Sequence, residues 1–565
     1  VLKIDDKIAY EEFKAYLIED KPKILSIDNN IIITEDCTVE VSSEYKDLIN
    51  LVAPKYDPLI YGKDTTENIV SVSVKDDLLY LYKSDGSVET RTNKYWILSR
   101  QKLSKKTKKL KGSQAYKYIT VFDSGNEFKK ANSAWYTKDT YCIWNQVEAA
   151  MVYHGITQFK GMQISDTSIL SFDIEAEGLK RHKDSDVYLI TNTFRSNAGE
   201  IVKKHFRVDH YDNAGNMIEE WSAWVRDVNP DIITGHNIYG YDLPYIDHVA
   251  QLYNKSVDIG RDGSAMRFNS KPSNFRVDGN TAWEYHKCNI EGREIIDGMF
   301  LAVKYDIGRN YPSWGLKAIA EYEGFVKEDR QFYDASKIAQ NWSDPVEREK
   351  IVQYGIDDSD DSLAIFDLMA PSIFYMAQSV PKPFQIMGTS ASGSQLNAVM
   401  VRAYLQDGHS IPKASEREHV YGGISFGVPG NYKNVFKIDI KSMYPSIIRS
   451  FKLYPKFKDP KKYYLKMADI YTEQRFSNKR KYKETGDKYY DDMQAAQKIA
   501  INSLYGLMGA SGLNFNDFAL ADRITGIARQ IIKKTIKWAT SKDIKYWWEE
   551  YDDDKDQKYE GILDR

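Results

Sequence analysis

The stretch Ser168-Ile-Leu-Ser-Phe-Asp173-Ile-Glu175 reads as an apolar strand interrupted by two carboxylates at i and i+2, which project from one face of whatever sheet it joins. Burying two neighbouring acids costs free energy unless a cation sits between them. An exposed sheet face would also place acids at alternate positions, and this stretch alone leaves both solutions open. Further acids follow. Asp231-Ile-Ile-Thr-Gly-His-Asn237-Ile-Tyr-Gly-Tyr241-Asp242 reads as a strand that turns through glycine into a polar segment. Tyr354-Gly-Ile-Asp357-Asp358 precedes a helical run from Ser362 to Met369 and sets Tyr354 and Asp358 one turn apart at i and i+4. His236, the imidazole in this region, reads as packing rather than ligation.

Two stretches nearer the C-terminus carry different chemistry. Asp439-Ile-Lys-Ser-Met-Tyr-Pro-Ser-Ile-Ile448 follows the β-branched and apolar run Val435, Phe436, Ile438, so Asp439 is expected at the end of a strand. Lys498-Ile-Ala-Ile-Asn-Ser-Leu-Tyr-Gly506 reads as a helix with Lys498, Asn502, Tyr505 and Gly506 at i, i+4, i+7 and i+8, on one face. A cation, an amide, an aromatic ring and a gap suit a nucleoside triphosphate, the lysine meeting phosphate as a point charge and the glycine admitting a close approach. An amphipathic helix packing Tyr and Leu into a core, with its lysine in water, has the same pattern.

The last two stretches resemble motifs A and B of family B DNA polymerases, DxxSLYPSII and KxxxNSLYG, most closely those of T-even bacteriophages; Met443 stands where motif A has Leu. The resemblance implies that Asp439 and Ile440 bind the catalytic metals and that Tyr444, beside Ser442 and Met443, closes the sugar pocket against a 2′-hydroxyl. It further implies that Lys498, Asn502 and Tyr505 face the incoming nucleotide and Gly506 the template. Gln474-Arg475-Phe-Ser-Asn-Lys479 puts Arg475 and Lys479 at i and i+4, similar to the family's triphosphate-gripping finger helix. Tyr421-Gly422-Gly423 resembles the DNA-contacting YxGG/A segment between exonuclease and polymerase domains, with Ile424 where Gly or Ala is usual. The three acidic stretches resemble the Exo I, Exo II and Exo III motifs of DEDDy-type 3′→5′ exonucleases, Tyr241 replacing the usual Phe. Asp173, Glu175, Asp242 and Asp358 are then ligands of two metals, with Tyr354 orienting the attacking water and Asp357 a neighbour only. Four acids around two Mg²⁺ ions, for which Mn²⁺ can substitute, suit in-line attack of water on a terminal phosphodiester.

The family's third polymerase motif, YxDTDS, is not found between Gly506 and Arg565. Tyr551-Asp-Asp-Asp-Lys-Asp556 has Lys555 where the second aspartate should fall, and its charged flanks read as a solvated acidic linker. One aspartate cannot bridge two ions about 3.5 to 4 Å apart. The expectation is therefore an exonuclease-competent, polymerase-incomplete chain acting on primer-template DNA and dNTPs. A second chain with YxDTDS and a thumb would complete it, and a sliding clamp would join through that missing part. A non-polymerising DNA-binding or scaffold subunit, or a dedicated exonuclease, are the alternatives.

At 565 residues the chain has room for about three or four domains. The expected organisation is multidomain α/β and α+β. A strand-rich N-terminal domain covers 1–165, with runs at Ile31–Thr34, Val70–Val74 and Leu78–Tyr82 and a turn at Asp85-Gly86. An RNase H-like exonuclease domain covers 166–370, and a helical segment, 371–410, returns to the N-terminal domain. An incomplete palm covers 411–465, helical fingers 466–508, and a partial palm with the acidic segment 509–565. The net charge of −3 leaves nucleic-acid binding to local patches; Lys102–Lys111 is one, read as a mobile solvated loop. Gly388-Thr-Ser-Ala-Ser-Gly393 lacks the lysine of a phosphate loop, having Ser394 in its place. Three cysteines without a CxxC pair point to a reducing compartment and no zinc site. Short apolar runs and no leader at Val1 point to the cytoplasm, that of a host cell if phage-encoded, and to no membrane.

Overall fold

Residues 2–19, 24–28, 31–34, 36–45, 48, 55–136, 138–276, 282–440 and 442–564 are described in the computed structural model. Short β-branched runs split by turn residues fold the N-terminal region into small sheets. Ile31–Thr34 belongs to a four-stranded sheet, while Ile69–Lys75, Leu78–Lys83 and Val88–Thr92 form an antiparallel meander. Gly86 makes its second turn in the left-handed region at φ 84°.

The lysine-rich stretch is not a free loop. Lys108–Lys109 pairs antiparallel with Ile119 and Tyr118 at the edge of a third sheet, and Lys111 donates its N–H to the Gly408 carbonyl at 2.8 Å. The charge run hid two buried anchors, Thr107 and Leu110, which hold the segment down while the lysines point outward. A charged edge strand of this kind also resists pairing with other chains.

Downstream, strands β1 (Ile169–Ala176), β2 (Val187–Arg195), β3 (Ile201–Arg207), β4 (Ile232–Gly235) and β5 (Glu294–Asp297) form a mixed sheet. Its order is β3-β2-β1-β4-β5, with β1 antiparallel to β2 and parallel to β4. Leu170, Phe172 and Ile174 on one face of β1 enter a core with helices α1 (Ala214–Val228) and α2 (Asp242–Leu252). Helices α3 (Gly298–Tyr305) and α4 (Leu316–Glu323) follow β5. The opposite face of β1, with Asp173 and Glu175, meets helix α5 (Pro345–Ala377), whose start is capped by Asp344 accepting from Val346 N at 2.8 Å.

Helices α6 (Phe384–Thr389) and α7 (Ser392–Gln406) carry the chain back toward the N-terminal region. There the buried Arg402 guanidinium donates to the Leu59 carbonyl at 3.0 Å and the Ser379 carbonyl at 2.9 Å. Helices α8 (Met443–Ser450), α9 (Tyr463–Thr485), α10 (Lys488–Gly509) and α11 (Phe518–Thr540) form the C-terminal helical layer. The pair α9–α10 turns at Gly486, and the Asp487 carboxylate caps α10 by accepting from Tyr489 N at 2.9 Å.

Tyr551–Asp556 is not a solvated linker. The Asp556 carboxylate is fully buried and accepts from Arg529 Nε on α11 at 2.7 Å, and the Tyr551 hydroxyl donates to the same group. A guanidinium keeps its charge when buried, so Arg529 requires a counter-charge, and the acidic segment supplies it. Lys533 pairs with Asp553 at 3.0 Å and Lys558 with Asp522 at 2.6 Å, closing the segment onto α11. Among the described residues no helix is long and apolar enough to cross a membrane, and Cys37, Cys142 and Cys288 are free thiols.

The glycine-rich stretch ending at Gly393 is a helix crossing. A Cβ on Gly393 would stand 3.0 Å from the Gly506 carbonyl, so α7 and α10 touch backbone to backbone. Gly393→Ala should force the crossing apart and cost about 1–3 kcal/mol, measured as a lower urea midpoint; an unchanged midpoint would show that the crossing yields freely.

Candidate functional site

Three side-chain hydroxyls on the sheet fix where α5 lies. Ser171 Oγ donates to the Ser359 carbonyl at 2.8 Å, Thr191 Oγ1 donates to the Gly355 carbonyl at 2.7 Å, and Thr193 Oγ1 lies 3.2 Å from Ser359 Oγ. At Gly355 a Cβ would approach Thr191 Cγ2 to 2.9 Å, so the glycine lets the helix settle on the strand. Asp358 is thereby set over β1, and oxygens of Asp173, Glu175 and Asp358 all lie within 4.8 Å of one another. Asp242 stands at the start of α2 beside them, its Oδ1 accepting from Ile174 N, the amide between the two β1 acids, at 3.2 Å.

Burial raises the pKa of all four acids, and three are raised further by neighbouring carboxylates: Asp173 by Asp242, Asp358 and Glu175, Glu175 by Asp358 and Asp242, Asp242 by Asp297 and Asp358. For Asp358 burial dominates over the opposing Lys317 and Arg330 charges. Hard oxygen donors clustered at this spacing fit Mg²⁺ or Mn²⁺. Tyr354, one turn before Asp358 on α5, has its phenol pKa pushed upward first by burial and then by Asp358, which keeps it a proton donor.

Cations and pins around the acids were not singled out from the sequence. Lys317 on α4 donates to the Tyr354 hydroxyl and lies 4.1 Å from its ring centroid. The Arg330 side chain, 1% exposed, pairs with Asp358 and with Asp361. Asp297, at the end of β5, accepts from Asn237 N at 3.1 Å and Tyr239 N at 3.0 Å and so holds the loop leading to Asp242. His236 Nε2 lies 2.8 Å from the Trp314 carbonyl, and burial pushes its pKa down to about 4. The Tyr241 hydroxyl donates to the Gly178 carbonyl at 3.0 Å. Neither lysine nor arginine here has a spacing signal, because each reaches the acids from another segment.

The C-terminal candidates form a second region. On α10, Ala500, Ile501, Leu504, Leu507 and Met508 are buried, while Lys498 and Asn502 are exposed and Tyr505 and Gly506 half-exposed. One helix thus both packs a core and presents the polar face. The Tyr444 and Tyr505 rings stand 4.8 Å apart at 42°. Gly423, Met443, Tyr444, Asn502, Tyr505 and Arg529 line a cavity of about 470 Å³. On α9, Arg475 donates to Ser442 Oγ at 2.9 Å, and Lys479 is half-exposed. Gly422, at φ 73°, offers its carbonyl to Arg529, and Tyr421 is half-exposed.

Asp439 differs from the expectation. Residues 412–440 contain no helix or strand, Asp439 is exposed, and Val435, Phe436 and Ile438 are 76%, 90% and 56% exposed. A strand needs a neighbour to take its backbone donors and acceptors, and no described strand lies beside this run. Among the described residues the acids that cluster for a metal are those on β1 and α5, without Asp439.

The profile of the DNA polymerase family B exonuclease domain matches residues 132–319, and that of DNA polymerase family B matches residues 467–560. The chain is 24% identical to a DNA polymerase of Archaeoglobus fulgidus over 58% of this chain and 43% of that protein. It is 24% identical to the DNA polymerase delta catalytic subunit of Schizosaccharomyces pombe over 69% of this chain and 41% of that one. The family B DNA polymerase structure from Pyrobaculum calidifontis shares the fold at a TM-score of 0.66 and 18% identity, over 83% of this chain and 71% of that one. The chain spans about half the length of the curated relatives it matches. The mixed sheet with its acid cluster, followed by the helical layer, thus defines a polymerase-class architecture. This chain matches the exonuclease domain and part of the polymerase region of family B DNA polymerases.

The raised carboxylate pKa values set the sign of a pH effect. With folded-state values above the unfolded ones, these four acids hold protons in the folded protein that the unfolded chain releases, so their contribution to stability falls as pH rises. The window runs from the ordinary aspartate value of 3.8 to the Asp242 value of about 8. Excess Mn²⁺ should raise the melting temperature of chelator-treated protein across that window, and most at its alkaline end, where the acids are easiest to deprotonate. A gain from Mn²⁺ that does not grow with pH across that window would refute the clustering of these acids.

Proposed function

We propose that this chain hydrolyses DNA from the 3′ end, and that its C-terminal part contributes the nucleotide-binding surface of a DNA-templated polymerase. The observation that supports the first activity is the convergence of Asp173, Glu175 and Asp358 within 4.8 Å, with Asp242 beside them. These four acids would hold two Mg²⁺ or Mn²⁺ ions, which when bound supply an activated water and neutralise the scissile phosphate. Tyr354, its hydroxyl held by Lys317, orients the water, and Lys317 adds positive charge where the phosphate oxygens sit.

For polymerisation, Ser442, Met443, Tyr444, Arg475, Lys479, Lys498, Asn502 and Tyr505 take the incoming nucleotide, and Tyr421, Gly422, Gly423 and Gly506 contact primer-template. The cavity between Tyr444, Tyr505 and Asn502 supports that reading. Asp439 and Ile440 are the metal-binding contribution of this half. The remaining carboxylates come from a polypeptide bearing YxDTDS and a thumb, and the exposed run Val435–Ile438 is the kind of extended segment that an added strand covers. The domain limits given above, the T-even phage type, the sliding clamp and the cytoplasmic location belong to the same proposal and rest on the motif resemblance. A dedicated exonuclease is the second reading, favoured by the isolation of Asp439; the Tyr444–Tyr505 cavity has no use in it.

With Mg²⁺ or Mn²⁺, the chain should shorten single-stranded or mispaired DNA from the 3′ end. Asp173→Ala or Asp358→Ala should lower the rate about a hundredfold or more, on the order of 3 kcal/mol of barrier. Digestion by both variants at the parent rate would sink the assignment.

Primer extension is the separate test of the polymerase half. The 565-residue chain should extend a primer only when a polypeptide with YxDTDS and a thumb is added, and Asp439→Asn should abolish the restored synthesis. Templated synthesis by the purified chain alone would show that its own acids complete the site.

A further inference from the structure

Helix α5 concentrates four acids in five positions, Asp357, Asp358, Asp360 and Asp361, and the side chains of Asp357, Asp358 and Asp361 are buried. Like charges this close destabilise a helix, and burial makes them costlier. One short segment after α4 answers all four. Lys327 Nζ lies 2.6 Å from Asp360, and Gln331 donates its backbone N–H to Asp357 at 2.9 Å. Arg330 donates Nε to Asp361 at 2.8 Å and Nη2 to Asp358, while its Nη1 donates to the Gln331 carbonyl at 2.9 Å.

The four candidate metal ligands are not held alike. Asp173 and Glu175 are aimed by the backbone of a central strand, and Asp242 by the Ile174 amide. Asp358 sits on a helix surface, where strand geometry gives it no fixed aim. Its orientation comes from side-chain partners, Arg330 and Tyr354. The Arg330 guanidinium is locked on both sides, between Asp361 and Asp358 on one helix turn and the Gln331 carbonyl, and its planar fork passes that rigidity on.

We infer that Lys327–Gln331 is a counter-ion strap that aims Asp358 at the metal pair, with Arg330 as the positioning residue. This rests on the exonuclease reading above and adds to it a segment outside the acidic motifs. The strap and Lys317 lie on one continuous stretch, α4 and the turn after it, so a single element brings both cations to the site. Arg330 engages Asp358 through Oδ1 alone.

The test is Mn²⁺ binding to the full chain, followed by electron paramagnetic resonance titration, with circular-dichroism melting as the check on folding. The parent should bind two Mn²⁺; binding of none would defeat the exonuclease reading itself, separately from the strap. Arg330→Gln should weaken one of the two ions at least about tenfold, the size expected when a group supporting a ligand is lost. Arg330→Lys, which keeps charge without the fork, should recover part of the loss. Asp361→Asn, which removes the charge but keeps an acceptor for Arg330 Nε and the Arg330–Asp358 contact, should lose less affinity than Arg330→Gln. Two ions bound by Arg330→Gln with parental affinity would overturn the inference, as would equal losses in Arg330→Gln and Asp361→Asn. Should Arg330→Gln fail to fold, parental affinity in Arg330→Lys would overturn it instead.

Discussion

Four carboxylates drawn into the seam between β1 and α5 repel one another, and the elements around that seam are arranged to keep them together. The hydroxyls of Ser171, Thr191 and Thr193 seize the backbone and Ser359 of α5, so the helix cannot retreat from the strand. Asp297 pins the loop that delivers Asp242, and Lys317 and Arg330 offset part of the negative charge. Buried like charges raise one another's pKa and leave the site short of a cation. Stability lost at these acids is the counterpart of affinity for a divalent ion.

The same device, a buried cation against fixed acceptors, joins the segments. Arg402 spends its donors on carbonyls of residues 59, 60 and 379, tying α7 to the N-terminal region. Lys304 does likewise with the Met387 and Ser390 carbonyls, at 2.8 Å and 3.1 Å. Glu294 on β5 accepts from Ser71 at 3.0 Å, Gln158 at 2.9 Å and Gln385 N at 2.8 Å, meeting three separate stretches in one buried carboxylate. Such groups are costly to bury and costlier to leave unpaired, so they enforce one relative arrangement of the parts.

In the helical layer, α10 serves two ends with two faces. Its apolar side packs against α7 and α9, and its polar side, through Asn502 and Tyr505, borders the cavity shared with Tyr444. Arg529 lines the same cavity from α11, and its charge is met by Asp556. The C-terminal acidic segment therefore shapes the electrostatics of the cavity beside Tyr444 and Tyr505, although by spacing alone it looked like linker.

Local pattern was enough for the elements whose periodicity is set by their own residues. The alternating acids of β1, the one-turn spacing of Tyr354 and Asp358, and the two-sided α10 were all legible, because strand and helix periods translate directly into faces. The first two strands of the meander, at 70–74 and 78–82, were legible for the same reason. Not legible were contacts between segments far apart in the chain: Lys317 on Tyr354, Arg330 on Asp358, Asp556 on Arg529, and the anchoring of the lysine-rich edge through Thr107 and Leu110. The strand expected before Asp439 failed in a related way, since a strand is a property of two chains' backbones rather than of one sequence run. The sequence by itself determined which side chains share a face; which charges meet was decided by tertiary structure, because a buried ion's partner is chosen by three-dimensional proximity and desolvation, and neither has a period along the chain.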